Sequence, residues 1–397
     1  MSLSTLPLCY CTNVHAAQTV PEVLAGLTQY TVPVKAKYGS ELAAGLWLAK
    51  SVTDEILSEP DGVTKLAQEL AARDLTCHTL NAFPYGNFHS DRVKEQVYLP
   101  DWSTDERLNY TFDCARILAG ILPEGREGSI STVPLGFKQF DYADNFEQVA
   151  IGKLIELAQK LDDLHDETGN VVRLAIEPEP FCLLETTDET IAFFEKLFAI
   201  ATEQNLLDEV KRHIGVCYDV CHQSIEFENV GASIKRLEDQ EIRINKVHIT
   251  CAIEIKNPGT AAELREVLSR YVEPRYLHQT MARNAAGEIR RLVDLTKEFA
   301  MSPPADFAEA DVWRVHYHVP VNAEQVGPLG TTRHDLKKAL DAVHQLTYAP
   351  HLEVETYTWD VLPENKVDLV EGLTQELVAT RKLLGSIRLA QTNMIIS

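Results

Sequence analysis

No C-x-x-C pair occurs in this chain of 397 residues, although it holds eight cysteines. A structural zinc site is therefore not expected. Cys9, Cys11, Cys77, Cys114, Cys182, Cys217, Cys221 and Cys251 lie mostly in or beside apolar strand-like runs, as small buried hydrophobes do in a reducing compartment. No apolar run approaches the roughly 20 residues of a membrane-spanning helix. No basic segment followed by an apolar one opens the chain, so no secretory signal is expected and the expected location is the cytoplasm. Positive charge is scarce. Lys and Arg total 37 against 59 Asp and Glu, a net charge of −22. That balance opposes a nucleic-acid partner, because duplex binding neutralises phosphates with clustered Lys and Arg. Neither a repeat period nor a low-complexity linker divides the chain.

What is present is an alternation of apolar runs and amphipathic segments. The run at 171–176 reads as a short, fully buried strand of the parallel-sheet kind. It stops at Glu177-Pro178-Glu179-Pro180, where two prolines forbid helix and remove ladder donors, so the carboxylates sit where the strand leaves the sheet. Thr186 with Glu189 then makes a capping box, and Ile191, Phe194, Leu197 and Phe198 mark a helix face. Strand-like runs also occur at 6–14, 42–48, 75–83, 129–136, 213–220 and 244–253, with helical patterns between them. Two more follow at 312–321 and 352–357, giving nine candidates for an eight-stranded barrel. Either one belongs elsewhere, or residues 258–304 form an insertion with a strand of its own. Short connections between strands and helices imply a parallel sheet covered by helices. The expected fold is a single (β/α)8 TIM barrel over residues 1–397, elaborated between strands seven and eight. Residues 84–103 form a long irregular stretch after strand three, which suggests a lid reaching inward through Lys94 or Tyr98.

Glu177, Asp219, His248 and Glu355 fall at the C-terminal ends of separate strands, where such barrels carry their chemistry. A carboxylate-rich set with one imidazole suits a divalent ion, Mn, Mg, Co or Zn, able to polarise carbonyl and hydroxyl oxygens. His316-Tyr-His318 offers a second candidate for the imidazole; His248 is favoured because its strand directly follows the one bearing Asp219.

Leu174-Ala-Ile-Glu-Pro resembles strand five of the xylose isomerase-like superfamily of sugar isomerases and epimerases, and Asp219-Val-Cys-His222 its Asp-x-x-His signature. Val247-His248 resembles its metal histidine on strand seven, and Glu353-Val-Glu355 its carboxylate on strand eight. The resemblance implies Glu177, Asp219, His248 and Glu355 as metal ligands, Glu177 and Glu355 also as the acid and base at a substrate carbon, and His222 at the substrate. It implies a small polyol or sugar-like substrate, with Asn13, His15, Asn81 and His89 supplying hydrogen bonds from neighbouring strand ends. His316 and His318 match an H-x-H pattern that the epimerases also show. One departure stands out: those epimerases keep an arginine a few residues after the strand-seven histidine, whereas the sixth residue after His248 is Glu254.

A nearer resemblance spans most of the chain. Tyr10-Cys-Thr-Asn-Val-His15, Asn81-Ala-Phe-Pro-Tyr-Gly86, Val93-Lys-Glu-Gln-Val-Tyr-Leu-Pro-Asp-Trp102, Gly128-Ser-Ile-Ser-Thr-Val-Pro-Leu-Gly136 and Leu352-Glu-Val-Glu-Thr-Tyr-Thr-Trp359 are similar to the EboE group of this superfamily. That group is named for metabolite traffic. It implies either an isomerase or epimerase or a non-catalytic small-molecule carrier. A metal-dependent phosphodiesterase or apurinic endonuclease, also possible on this fold, ranks last against the net charge.

Overall fold

The computed structural model describes residues 3–363 and 367–396. Eight parallel strands close a barrel: β1 (Leu8–Cys11), β2 (Leu42–Trp47), β3 (Thr76–Asn81), β4 (Glu127–Thr132), β5 (Val171–Ile176), β6 (Ile214–Asp219), β7 (Ile244–Ile249) and a final strand, His351–Val354. That last strand pairs with both β1 and β7, which closes the ring. Strands β2, β6 and β7 are buried along their whole length, as a sheet covered by helices requires.

Helices form where the sequence caps and stops them. Thr186 and Glu189 bond reciprocally at the start of the helix Thr187–Glu203, and Thr19 with Glu22 does the same at Val20–Gly26. Long helices such as Asp105–Ile121 and Phe146–Thr168 turn Ile117, Leu118, Leu154 and Leu157 onto the barrel. The helical segment between β2 and β3 is two helices, Lys50–Ser58 and Gly62–Ala72, because Pro60 interrupts it.

The ninth candidate strand lies outside the barrel. After β7 the chain passes Thr250 and immediately begins β8 (Cys251–Lys256), so the apolar run at 244–253 is two strands rather than one. Strand β8 opens a six-stranded antiparallel sheet with β9 (Thr280–Arg283), β10 (Ile289–Leu292), β11 (Val312–Val319), β12 (Gln325–Val326) and β13 (Leu329–Thr331), in the order β10-β9-β11-β8-β13-β12. The run at 312–321 thus belongs to this second sheet, and His351–Val354 is β14, the eighth barrel strand. Residues 258–304 lie within the larger segment, Cys251 to Thr331, that carries the sheet.

Candidate active site

Glu177 follows β5 by one residue and Asp219 ends β6. His248 is the penultimate residue of β7, and Glu355 follows β14 by one residue. Strand pairing sets Asp219 beside His248 and His248 beside Glu353 in register. One donor atom from each of Glu177, Asp219, His248 and Glu355 lies within 4.8 Å of all the others, and all four residues are buried. His248 Nδ1 is 2.8 Å from Glu177 Oε1, 3.1 Å from Glu355 Oε2 and 3.6 Å from Asp219 Oδ2.

The other nitrogen of His248 explains why this cluster fits a cation. Nε2 donates to Glu353 Oε2 at 3.0 Å, and that carboxylate also takes the ammonium of Lys246 at 2.6 Å. With its Nε2 proton committed there, a neutral His248 turns a lone pair from Nδ1 toward three carboxylates. Either a second proton or a cation must intervene. Without a cation, burial disfavours the charged ring but the surrounding Cys217, Glu177 and Glu355 outweigh it, raising the His248 pKa well above its ordinary value. Two further atoms ask for a partner: Glu177 Oε2 and Asp219 Oδ2 are buried with no hydrogen bond among the described residues. A buried set of three carboxylates and one imidazole, with oriented support behind the imidazole, suits a divalent ion.

The two outer carboxylates stand in different surroundings. Burial pushes the Glu177 pKa up. Burial also acts on Glu355, but there His248, and then His318 and Lys246, hold the carboxyl well below the usual range. Glu355 Oε1 further accepts from Asn13 Nδ2 at 3.0 Å and from Asn81 Nδ2 at 2.9 Å.

Above the carboxylates stand three imidazoles. His222 Nδ1 meets the carbonyl of Pro178 at 3.1 Å and His318 Nδ1 that of Glu355 at 2.9 Å. Carbonyls only accept, so both Nδ1 atoms carry protons. His316 Nδ1 bonds Gln279 Oε1 at 2.7 Å, and its Nε2 lies 3.2 Å from His318 Nε2. Gln279 Nε2 and the Tyr98 hydroxyl both donate to Glu179 Oε1, at 3.2 and 2.6 Å.

These groups share one cavity, lined by Asn13, Asn81, Glu177, Glu179, His222, His316, His318 and Glu355 on its polar side. Tyr98 and Lys94 from the stretch 84–103 also line it. The Lys94 ammonium, however, binds Asp294 of the inserted segment, and the backbone amides of Val93 and Lys94 bond the carbonyl of Arg275.

Two expected hydrogen-bonding residues stand elsewhere. His15 does not line the cavity: it packs at 4.6 Å from the Tyr30 ring and bonds Tyr10 Oη at 3.3 Å, and burial lowers its pKa to about 3. His89 Nε2 bonds the backbone oxygen of Asn13 at 2.7 Å and so braces the β1 end from behind. Glu254, the sixth residue after His248, lies in the second sheet, 2.9 Å from Arg314. Sequence reasoning left out Glu353, Lys246, Glu179 and Gln279. For the first two a signal existed, since period-two alternation puts Lys246 on the face of His248 and Glu353 on that of Glu355.

No protein-family model and no curated protein matches the chain. Among solved structures, the D-allulose 3-epimerase from Methylomonas sp. superposes with a TM-score of 0.51 at 12% identity, covering 97% of this chain and 100% of that one. A xylose isomerase-like TIM barrel protein from Mycobacterium smegmatis, solved in complex with magnesium, gives 0.50 at 10% identity, covering 98% and 100%. At such identities the likeness is one of fold. Closed parallel barrel, intervening helices and strand order together make this a (β/α)8 TIM barrel, similar in fold to the xylose isomerase-like barrel protein above and enlarged by a six-stranded sheet between its seventh and eighth strands.

Proposed function

We propose that the protein is a divalent-metal-dependent isomerase or epimerase acting on a small polyhydroxylated metabolite. The observation that carries this reading is the buried meeting of Glu177, Asp219, His248 and Glu355, two of whose carboxylate oxygens have no hydrogen bond among the described residues. Glu177, Asp219, His248 and Glu355 would hold the ion, which when bound supplies Lewis acidity toward the oxygens it touches. The rest is the chain's own work. Glu177 Oε2, which has no hydrogen bond among the described residues, is the atom to exchange a proton with a hydroxyl-bearing carbon beside a substrate carbonyl, and Glu355 is its opposite number. Asn13 and Asn81 fix the Glu355 carboxylate in place, and two carboxyls with pKa values driven apart suit acid and base roles. His222 and His318 line the cavity and present imidazole rings to substrate hydroxyls. The epimerase named above, similar in fold, supports a sugar-like substrate.

Membership of the EboE group, and with it a place in metabolite traffic, is supported by where the resembling stretches fall: Asn13, Asn81, Tyr98 and Glu355 all line the cavity. A cytoplasmic location is supported by eight buried, unpaired cysteines.

Metal binding tests the reading. An ion held only by the folded state stabilises it by RT ln(1 + [L]/Kd), about 2.7 kcal/mol at a hundredfold excess over Kd, a rise of a few degrees in melting temperature. Glu177→Gln should abolish the rise with Mn, Mg, Co or Zn while leaving the metal-free protein equally stable or more so. Wild-type protein incubated with aldoses and ketoses in deuterium oxide should incorporate deuterium at the carbon beside the carbonyl. Ligand retention without such exchange would turn the reading toward a carrier, and absence of both the metal shift and stoichiometric metal would remove the enzyme altogether.

A further inference from the structure

We infer that the substrate is an uncharged polyol bearing an apolar substituent, with no phosphate or carboxylate group. This deepens the polyol reading above and rests on it.

Charge comes first. Glu177, Glu179 and Glu355 line the cavity, and Lys94 is the one lysine on a lining that includes no arginine among the described residues. The Lys94 ammonium is bound to Asp294 and donates to the carbonyl of Tyr276 at 3.3 Å. Three carboxylate ligands against one dication would leave the floor with a formal charge of −3 + 2 = −1. Phosphate recognition relies on guanidinium forks, free lysines or helix N-termini. The helix nearest the floor, Val220–Ile225, is six residues long and already capped by Asp219. An anionic substituent would thus be buried beside carboxylates with no guanidinium or free ammonium on the described lining to balance it.

The second observation is the apolar part of the lining. Phe83, Pro84, Phe88 and Val97 come from the end of β3 and the stretch after it, and Leu277 comes from the inserted segment. Their side chains offer no hydrogen-bond partner. Next to them the rings of Phe88, Tyr276 and Tyr357 pack mutually at 4.9–5.3 Å. A bare polyol filling this space would press hydroxyls against carbon and lose their hydrogen bonds with water. A molecule with its oxygens on one end and an aryl or alkyl group on the other satisfies both parts of the lining.

Glucose, galactose and mannose, each as free sugar, phenyl β-glycoside and 6-phosphate, form the probe set for calorimetric titration of manganese-loaded protein. Phenyl glycosides should bind at least about tenfold tighter than their parent sugars, and the phosphates at least about tenfold more weakly than the phenyl glycosides. In Phe88→Ala the phenyl advantage should shrink to about threefold or less, with the manganese-induced rise in melting temperature retained. Should Phe88→Ala fail to fold, Val97→Thr, a near-isosteric change at a half-buried position, should weaken phenyl glycosides more than parent sugars. Equal affinity of phenyl and parent forms, tightest binding by the phosphates, or no binding by any probe overturns the inference. The two readings fail separately. Phenyl preference without deuterium exchange in the free parent sugars sinks the enzyme and keeps the substrate class, whereas exchange with a preference for phosphates does the reverse.

Discussion

Replacing Lys246 by Met tests the support behind the proposed metal histidine. The ammonium and the Glu353 carboxylate meet at 2.6 Å with both side chains wholly buried, and Lys246 also donates to Leu80 O at 3.2 Å and Ser131 Oγ at 3.3 Å. Methionine fills much of the same volume but leaves Glu353 a buried anion whose remaining partners are His248 Nε2 at 3.0 Å and the weak Cys9 thiol at 3.7 Å. Breaking a buried pair from one side costs about 3–5 kcal/mol, mostly through the uncompensated charge left behind. The double variant Lys246→Met/Glu353→Gln removes that charge while keeping an oxygen to accept from His248, so it should recover most of the lost stability. It should not recover metal affinity, because a neutral amide orients and polarises the imidazole less well, a loss of about 10–100-fold. Urea unfolding of the metal-free proteins gives the stabilities, and titration with manganese gives the affinities. The pH window follows from the sign of the shift. Burial raises the Glu353 pKa, but Lys246 and His248 outweigh it and hold the carboxyl below its ordinary 4.5. The pair's contribution is therefore present above about pH 4.5 and fades as pH falls toward the folded-state value. The comparison belongs at pH 7. A single variant that loses less than about 1 kcal/mol, or a double variant no more stable than the single, would refute this account of the pair.

Gly45→Ala should act on the same carboxylate from the opposite side, since a Cβ there would lie 1.7 Å from Glu353 Oε1 and 2.8 Å from the backbone oxygen of Tyr10. The expected result is a loss of both stability and manganese affinity; unchanged manganese affinity would contradict it. Glu376 supplies a prediction away from the site. It accepts from Thr356 Oγ1, Trp359 Nε1 and the Val321 amide, yet burial raises its pKa to about 7 from 4.5. Being raised, the shift makes the wild type lose up to about 3 kcal/mol from this group as pH climbs from 4.5 to about 7. Urea unfolding at pH 5 and pH 8 should show a smaller loss in Glu376→Gln, and parallel pH profiles would count against the shift.

Much of the floor could be read from the sequence because a parallel barrel converts strand ends into neighbours. Glu177 and Asp219 were marked by apolar runs that stop on an acidic residue, a pattern that needs no knowledge of distant contacts. Lys246 and Glu353 were harder. They lie inside strands, where a buried charge contradicts the ordinary filling of such a barrel by aliphatic side chains and becomes intelligible only with its partner in view. His15 misled because a strand-end histidine looks the same whether it faces the mouth or, as here, packs against Tyr30. The boundary at Thr250 was hidden by hydropathy. Residues on both sides are apolar and buried, so one uninterrupted signal covered a strand of the barrel and a strand of another sheet.

The passage from β7 to β8 through a single residue has a consequence for how the molecule comes apart. A typical insertion hangs from the scaffold by two loops and can fray or be excised on its own. Here one junction is nearly a continuation of the strand that bears His248, and Glu355 NH bonds Ile249 O across the same spot. Thr250 is wholly buried, and β8 packs most heavily against β11, the strand that carries His316 and His318. Loosening the added sheet would therefore pull directly on the end of the seventh barrel strand, with no slack to absorb the motion. Barrel and sheet should open as one cooperative unit, with amides of β8 exchanging hydrogen as slowly as those of β7. A minimal barrel cut free of residues 251–331 would lose His316 and His318 from above the carboxylates, together with the direct continuation of the strand that bears His248.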